Sequence, residues 1–122
     1  MHILIVDDDP LVGELVAAML SDLGHECRVA GNAIEALEQL DADERIALVI
    51  SDLNMPLISG LDLFHELGSR GQAVPFVLLT GYDPGPIWAQ TPGLAAVLAK
   101  DASLEETLPS LVAELSRAKG NR

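Results

Sequence analysis

The sequence predicts an α/β fold, a doubly wound five-stranded parallel sheet with helices on both faces. Two observations carry the prediction. Short runs that are apolar throughout alternate along the chain with longer segments of helical periodicity, and strands alternating with helices imply parallel pairing through right-handed crossovers. The reactive side chains also sit where the apolar runs end: Asp7 and Asp8 after residues 3–6, Asp52 after 46–50, Thr80 after 76–79 and Lys100 after 94–99. In a parallel sheet those ends share one edge, so these side chains gather at one crevice.

The elements follow in order. The first strand is the run at 3–6, and Asp9 caps a first helix with Pro10 in its first position and Gly24 closing it. Its inward face is read as Leu11, Leu15 and Met19 beside Val12, Val16 and Leu23. Cys27 and Val29 alternate with polar residues, as on an edge strand. Asn32 and Glu35 form a capping box that opens a second helix, with Ile34, Leu37 and Leu40 inward. After the run at 46–50, Ser59 and Asp62 open a third helix with Leu63, Phe64 and Leu67 inward. Beyond the run at 76–79, "GYDPGPIWAQTPGL" holds Pro84, Pro86 and Pro92 with three glycines. It predicts a fourth helix that is short, displaced or missing, starting at Pro86 if it forms and stopped by Pro92 and Gly93. The run at 94–99 reads as a buried strand. Ser103 and Glu106 open a last helix with Leu104, Leu108, Leu111, Val112 and Leu115 inward, and Pro109 kinks it or delays its start.

Bulk properties narrow the function. At 122 residues the chain forms one domain, read as 1–119, with 120–122 a tail or the start of a linker. Its formal charge of -12 argues against direct nucleic-acid binding, which needs a Lys/Arg surface. No apolar stretch is long enough to span a membrane. The run at 3–6 is followed at once by three acids, so it is no signal peptide. Cys27 reads as a small buried residue of a reducing, cytoplasmic protein, and His2, His25 and His65 are scattered without a shared role.

The crevice suits phosphoryl chemistry. Crowded carboxylates repel unless a cation neutralises them. Oxygen-only ligands suit Mg2+, which keeps several waters and takes few carboxylates. A carboxylate can also act as a nucleophile toward phosphorus and form an acyl phosphate. Lys100 then pairs with phosphoryl oxygens, Thr80 hydrogen-bonds them, and Gly81 leaves room for the group to approach.

The blocks "ILIVDDDP", "VISDLNMPLISGLDL", "VPFVLLTG" and "VLAKD" occur in that order over nearly the whole chain. They resemble the receiver domain of two-component response regulators. The central block is the most specific, with Asp52 followed by Asn54, Met55, Pro56 and Gly60. The resemblance implies a CheY-like, flavodoxin-like sheet of strand order 2-1-3-4-5. It implies that Asp52 is the phosphoacceptor and that Asp7 and Asp8 form the acidic pocket. Asp8, Asp52 and the backbone carbonyl of Asn54 would hold Mg2+, while Thr80 and Lys100 contact the phosphoryl group. The donor would be a histidine kinase or a histidine phosphotransfer protein, with an output domain or partner protein downstream. Such a domain is a stoichiometric phosphoacceptor that can lose its phosphoryl group to water, not an enzyme. Asn54 and Tyr82 then border the path of that water.

Three positions depart from the family pattern. Asp101 follows Lys100 where a proline, joined by a cis bond, is usual. Trans is the expectation here, since a cis bond before another residue costs about 3 kcal/mol. Val97 stands where an aromatic is frequent, and the fourth helix is weak. These departures leave a second reading, a phosphorylation-independent docking module (a pseudo-receiver). The complete acidic cluster favours the phosphoacceptor, because a docking module has no need of repelling acids. A phosphatase of the haloacid dehalogenase type, with Asp7 as nucleophile and Asp9 as acid, is set aside. It leaves "SDLNMP" unexplained and has Leu11 where Thr or Val belongs.

Overall fold

The computed structural model describes residues 1–120, with β1 (His2–Val6), α1 (Pro10–Ser21), β2 (Glu26–Ala30), α2 (Ala33–Ala42) and β3 (Ile46–Asp52). These are followed by α3 (Gly60–Ser69), β4 (Phe76–Thr80), α4 (Pro84–Gln90), β5 (Ala96–Ala99) and α5 (Leu104–Gly120). All strands are parallel, in the order β2-β1-β3-β4-β5. The fold class and the strand order are those expected. The register aligns Val6 with Ala30 and Ser51, Asp52 with Leu79, and Thr80 with Ala99. The carboxyl ends of β1, β3, β4 and β5 therefore share one edge.

Alternation along each strand divides the core in two. Ile3, Ile5, Leu48, Ile50, Val77 and Leu79 meet Val16 and Leu20 of α1 and Leu104, Leu108 and Val112 of α5. On the other face, Leu4, Val6, Val49, Phe76 and Leu78 meet Ala33, Ala36 and Leu40 of α2 and Leu63 and Leu67 of α3. The run at 94–99 is not a fully buried strand. Every residue of β5 is only partly buried, because β5 is the outer strand beside a short α4.

Several helix faces differ from the periodic reading. Asp9 caps α1 by accepting from Leu11 N at 3.0 Å, and Pro10 takes the first position. Yet Leu11, Leu15 and Leu23 are exposed, at 71%, 68% and 56%, while Gly13, Val16 and Leu20 face the sheet. A Cβ at Gly13 would lie 2.8 Å from Val29 Cγ1. The close approach of α1 to β2 at this glycine turns the two leucines outward. In α2, Asn32 accepts from Glu35 N at 2.8 Å, but the Glu35 carboxylate reaches back to Gly31 N at 2.7 Å, one residue beyond the expected partner. Ala33 and Ala36 turn inward and Ile34 is exposed. The Ser59–Asp62 box of α3 forms in both directions.

α4 is short, as expected, at seven residues. It starts at Pro84 rather than Pro86, because the Asp83 carboxylate accepts from Gly85 N at 3.1 Å and caps it. Both prolines then lie in the first turn, where no backbone N–H needs a helical partner. α5 starts at Leu104 without delay and passes through Pro109, with Leu104 and Leu108 seated on the sheet. The expected Ser103–Glu106 box is replaced: the Ser103 N–H and hydroxyl both donate to Asp101. α5 reaches Gly120, so of the expected tail only 121–122 lie outside the described residues. No helix among the described residues is long and apolar enough to cross a membrane.

Leu57, in the β3–α3 loop, has a left-handed backbone (φ 69°) and a fully exposed side chain. That conformation costs a non-glycine residue about 1–2 kcal/mol, against about 0.5–1 kcal/mol for the extra chain entropy of glycine. Leu57→Gly should therefore stabilise the fold by about 0.5 kcal/mol in urea denaturation. A destabilised variant would show that Leu57 packs on something.

Candidate functional site

The site is built from strand ends. Asp7 follows β1, and its N–H donates to Ala30 O at 3.1 Å, extending the β1–β2 ladder by one bond. Its carboxylate is buried, accepts from Asp9 N at 2.9 Å and pairs with Lys100 Nζ at 3.1 Å. Asp52 is the last residue of β3 and is buried, and it lies 3.2 Å from the same Nζ. Asp8 is exposed at the mouth. Carboxylate oxygens of Asp7, Asp8 and Asp52 all lie within 4.8 Å of one another.

Thr80 closes β4. It is fully buried, and its Oγ1 accepts from Tyr82 N at 3.1 Å. Lys100 follows β5, with its N–H donating to Thr80 O at 2.7 Å. The structure thus brings together the side chains of Asp7, Asp8, Asp52 and Lys100, with Thr80 tied to Lys100 through the backbone. Asn54 lies exposed in the loop after β3, and Val97 is half-buried on β5 opposite Leu78. Among the described residues there is no cis peptide bond, so the Lys100–Asp101 bond is trans and still delivers Nζ to both carboxylates.

Gly60 explains why the loop after Asp52 can close tightly. Its N–H donates to Leu53 O at 2.9 Å while Leu53 N donates to Leu79 O at 2.8 Å. A Cβ at position 60 would collide with the Asp52 carbonyl oxygen, and would lie 2.9 Å from Ser51 Oγ and from Leu78 Cδ2.

The electrostatics follow from burial and crowding. Burial pushes the Asp52 carboxyl above its ordinary range; the Lys100 ammonium opposes this, and Asp7 adds to it. Burial pulls Lys100 down, but its bonds to Asp7 and Asp52 outweigh that and leave it raised. One ammonium against three carboxylates leaves the site net negative. Such an all-oxygen donor set fits a hard divalent cation.

A raised carboxyl means that the folded state binds a proton more readily than the unfolded chain. The stability Asp52 contributes is present at low pH and is lost as pH rises through the raised value. Asp52→Asn should therefore raise the melting temperature at neutral pH without metal, by roughly 3–4 °C for about 1 kcal/mol of relieved desolvation and, to a lesser extent, repulsion from Asp7. The gain should fade below about pH 3.5, where the carboxyl is protonated in both states. Thermal melts of both proteins across pH check this, and a lower midpoint for the variant at neutral pH would contradict it.

A sequence profile described as the response regulator receiver domain matches residues 3–111. The chain belongs to this family. Curated relatives of the receiver include the response regulator MprA of Mycobacterium avium (strain 104), 37% identical over 98% of this chain and 53% of that protein. MprA of Mycobacterium tuberculosis (strain CDC 1551 / Oshkosh) is 35% identical over 98% of this chain and 52% of its own. The receiver thus spans about half the length of the curated relatives it matches. Among solved structures, TrrA of Thermotoga maritima, crystallised in complex with Mg(2+)-BeF, is 31% identical. It has a TM-score of 0.82 over 93% of this chain and 97% of that one. The chemotaxis regulator CheY4 of Vibrio cholerae is 26% identical, with a TM-score of 0.82 over 93% and 97%.

Two features of the receiver's site were not anticipated. Lys100 bridges Asp7 and Asp52, a pairing that strand-end spacing alone does not specify. Asp101 organises the turn behind Lys100, accepting from Ser103 N at 2.9 Å and from its hydroxyl at 2.5 Å. The Asp-x-Ser spacing was a legible signal for that turn, because such aspartates bond the backbone two residues on.

Proposed function

We propose that this receiver accepts a phosphoryl group on Asp52 from a phosphohistidine of a histidine kinase or phosphotransfer protein, in the cytoplasm and in the presence of Mg2+. The observation that carries the reading is the triad of carboxylates within 4.8 Å, two of them sharing the Lys100 ammonium. A carboxylate oxygen of Asp52 attacks phosphorus, the P–N bond of the donor breaks, and the leaving imidazole takes up a proton. Asp8, Asp52 and the backbone carbonyl of Asn54 would hold Mg2+, whose charge offsets that of the phosphoryl oxygens. Lys100 would exchange one carboxylate partner for a phosphoryl oxygen, and Thr80 would donate its hydroxyl proton to another. The domain is turned over stoichiometrically, and the phosphorylated form would act on a linked output domain or partner protein.

The test is intact mass after incubation with acetyl phosphate. The expected result is a gain of one phosphoryl group with Mg2+ and none with EDTA. Labelling that persists in EDTA would refute the metal-assisted reading, and no labelling under any condition would refute the phosphoacceptor.

The lifetime of the product should depend on Tyr82. Its N–H is held by Thr80 and its side chain is 72% exposed, two residues beyond the end of β4. Tyr82→Ala should open the water's path and speed dephosphorylation by about threefold, a modest barrier change of under 1 kcal/mol. Unchanged decay of labelled protein would count against steric shielding.

A further inference from the structure

We infer that Asp101 is a positioning residue for Lys100, holding the ammonium between Asp7 and Asp52. The inference rests on the phosphoacceptor reading above and adds to it a residue outside the crevice.

Lys100 Nζ meets two carboxylates at 3.1 and 3.2 Å. A lysine side chain is long and has many rotamers, so a shared position between two acceptors demands that its backbone be fixed. On the amino side this is done by the sheet, through Lys100 N to Thr80 O at 2.7 Å. On the carboxyl side the sheet has ended at Ala99, and only residues 100–103 separate it from α5. Here the Asp101 side chain accepts from both donors of Ser103, and the Asp101 carbonyl accepts from Leu104 N at 3.0 Å. Leu104 is itself buried on the sheet beside Leu108. Asp101 thus ties the residue after Lys100 to the anchored start of α5. The turn is closed by side-chain hydrogen bonds, with every peptide trans. Asp101 touches none of the reacting groups; its side chain is exposed and bonded only within the turn.

The two donors of Ser103 also define the chemistry of the substitution. An asparagine at 101 keeps a carbonyl oxygen for the Ser103 N–H. An alanine keeps neither bond. A proline keeps neither and restricts Lys100 in addition.

The test compares the parent with Asp101→Ala, Asp101→Asn and Ser103→Ala by two readouts. The first is the initial rate of phosphorylation by acetyl phosphate with Mg2+. The second is the side-chain ammonium signal of Lys100 in protein labelled with 15N-lysine, where Lys119 is the one other lysine of the sequence and the Lys100→Arg protein assigns the peaks. Circular dichroism establishes that each variant is folded.

For Asp101→Ala, which loses both Ser103 bonds, a rate reduced roughly fivefold is expected, because the exposed turn loosens without unfolding. Its Lys100 ammonium signal should broaden or move toward that of free lysine. Asp101→Asn should stay within about twofold of the parent with the signal retained, because one acceptor remains. Ser103→Ala, which keeps the N–H bond, should fall between. A Lys100 signal and rate in Asp101→Ala equal to the parent's would overturn the inference. So would an Asp101→Asn protein as impaired as Asp101→Ala, which would point to charge rather than turn geometry. Should the parent itself take up no phosphoryl group, the phosphoacceptor reading fails, and the ammonium signals still decide whether Asp101 positions Lys100.

Discussion

Asp52→Asn should take up no phosphoryl group from acetyl phosphate in Mg2+, under conditions that label the parent fully. The amide oxygen is a far poorer nucleophile, and Asp7 and Asp8 cannot replace it. Asp7 already spends its oxygens on Asp9 N and Lys100 Nζ, and Asp8 is exposed and makes no ion pair with Lys100. Asp8→Ala keeps the nucleophile but removes one of the carboxylates proposed to hold the cation. It should slow uptake about 100-fold or more, since even partners outside a metal's ligand shell are worth 10–100-fold. Excess Mg2+ should restore part of that loss, but none of the loss in Asp52→Asn. Equal labelling of the Asp52→Asn protein would show that a different residue is the acceptor.

The second large effect belongs to the backbone behind Asp52. Gly60→Ala should destabilise the fold by about 2–3 kcal/mol, the upper range for overpacking a filled core. The new Cβ collides with the Asp52 carbonyl oxygen, which is part of the sheet and cannot swing away. The neighbouring Ser51 Oγ and Leu78 Cδ2, each 2.9 Å from that Cβ, are fully buried and have little room to yield. Gly68 provides the control. It lies in the same helix with nothing within 4 Å of its Cβ position. Gly68→Ala should stabilise by up to about 1 kcal/mol through helix propensity. Urea denaturation of the two variants measures the contrast, and equal effects would show that the crowding at Gly60 is relieved by backbone movement.

The legible parts of the sequence were those fixed by strand periodicity and by turn chemistry. Asp7, Asp52, Thr80 and Lys100 were placed correctly because a residue ending a parallel strand has one edge on which to emerge. Asp9, Asn32 and Ser59 were legible as caps because their side chains satisfy helical N–H groups locally. Helix faces were less legible. The pattern of α1 is nearly as apolar on its outer face, with Leu11 and Leu15, as on its inner face. What decides between them is the contact of Gly13 with Val29, a tertiary contact that periodicity does not carry. In α2, likewise, Ala33 and Ala36 let the helix sit close and leave Ile34 outside. The start of α4 was misplaced because Asp83, two residues before Gly85, was not read as a cap. The Ser103 box was misread for a related reason: Asp101 competes for the same serine and wins both of its donors.

The central claim is that the buried carboxylate at the end of β3 is the one that becomes phosphorylated. Reductive trapping reads this directly: the labelled protein is treated with borohydride, which converts an aspartyl phosphate to homoserine, and the peptides are sequenced. Homoserine is expected at position 52 and nowhere else, and only in protein incubated with Mg2+. Homoserine at position 7, 8 or 9, or equal conversion without a divalent cation, would contradict it.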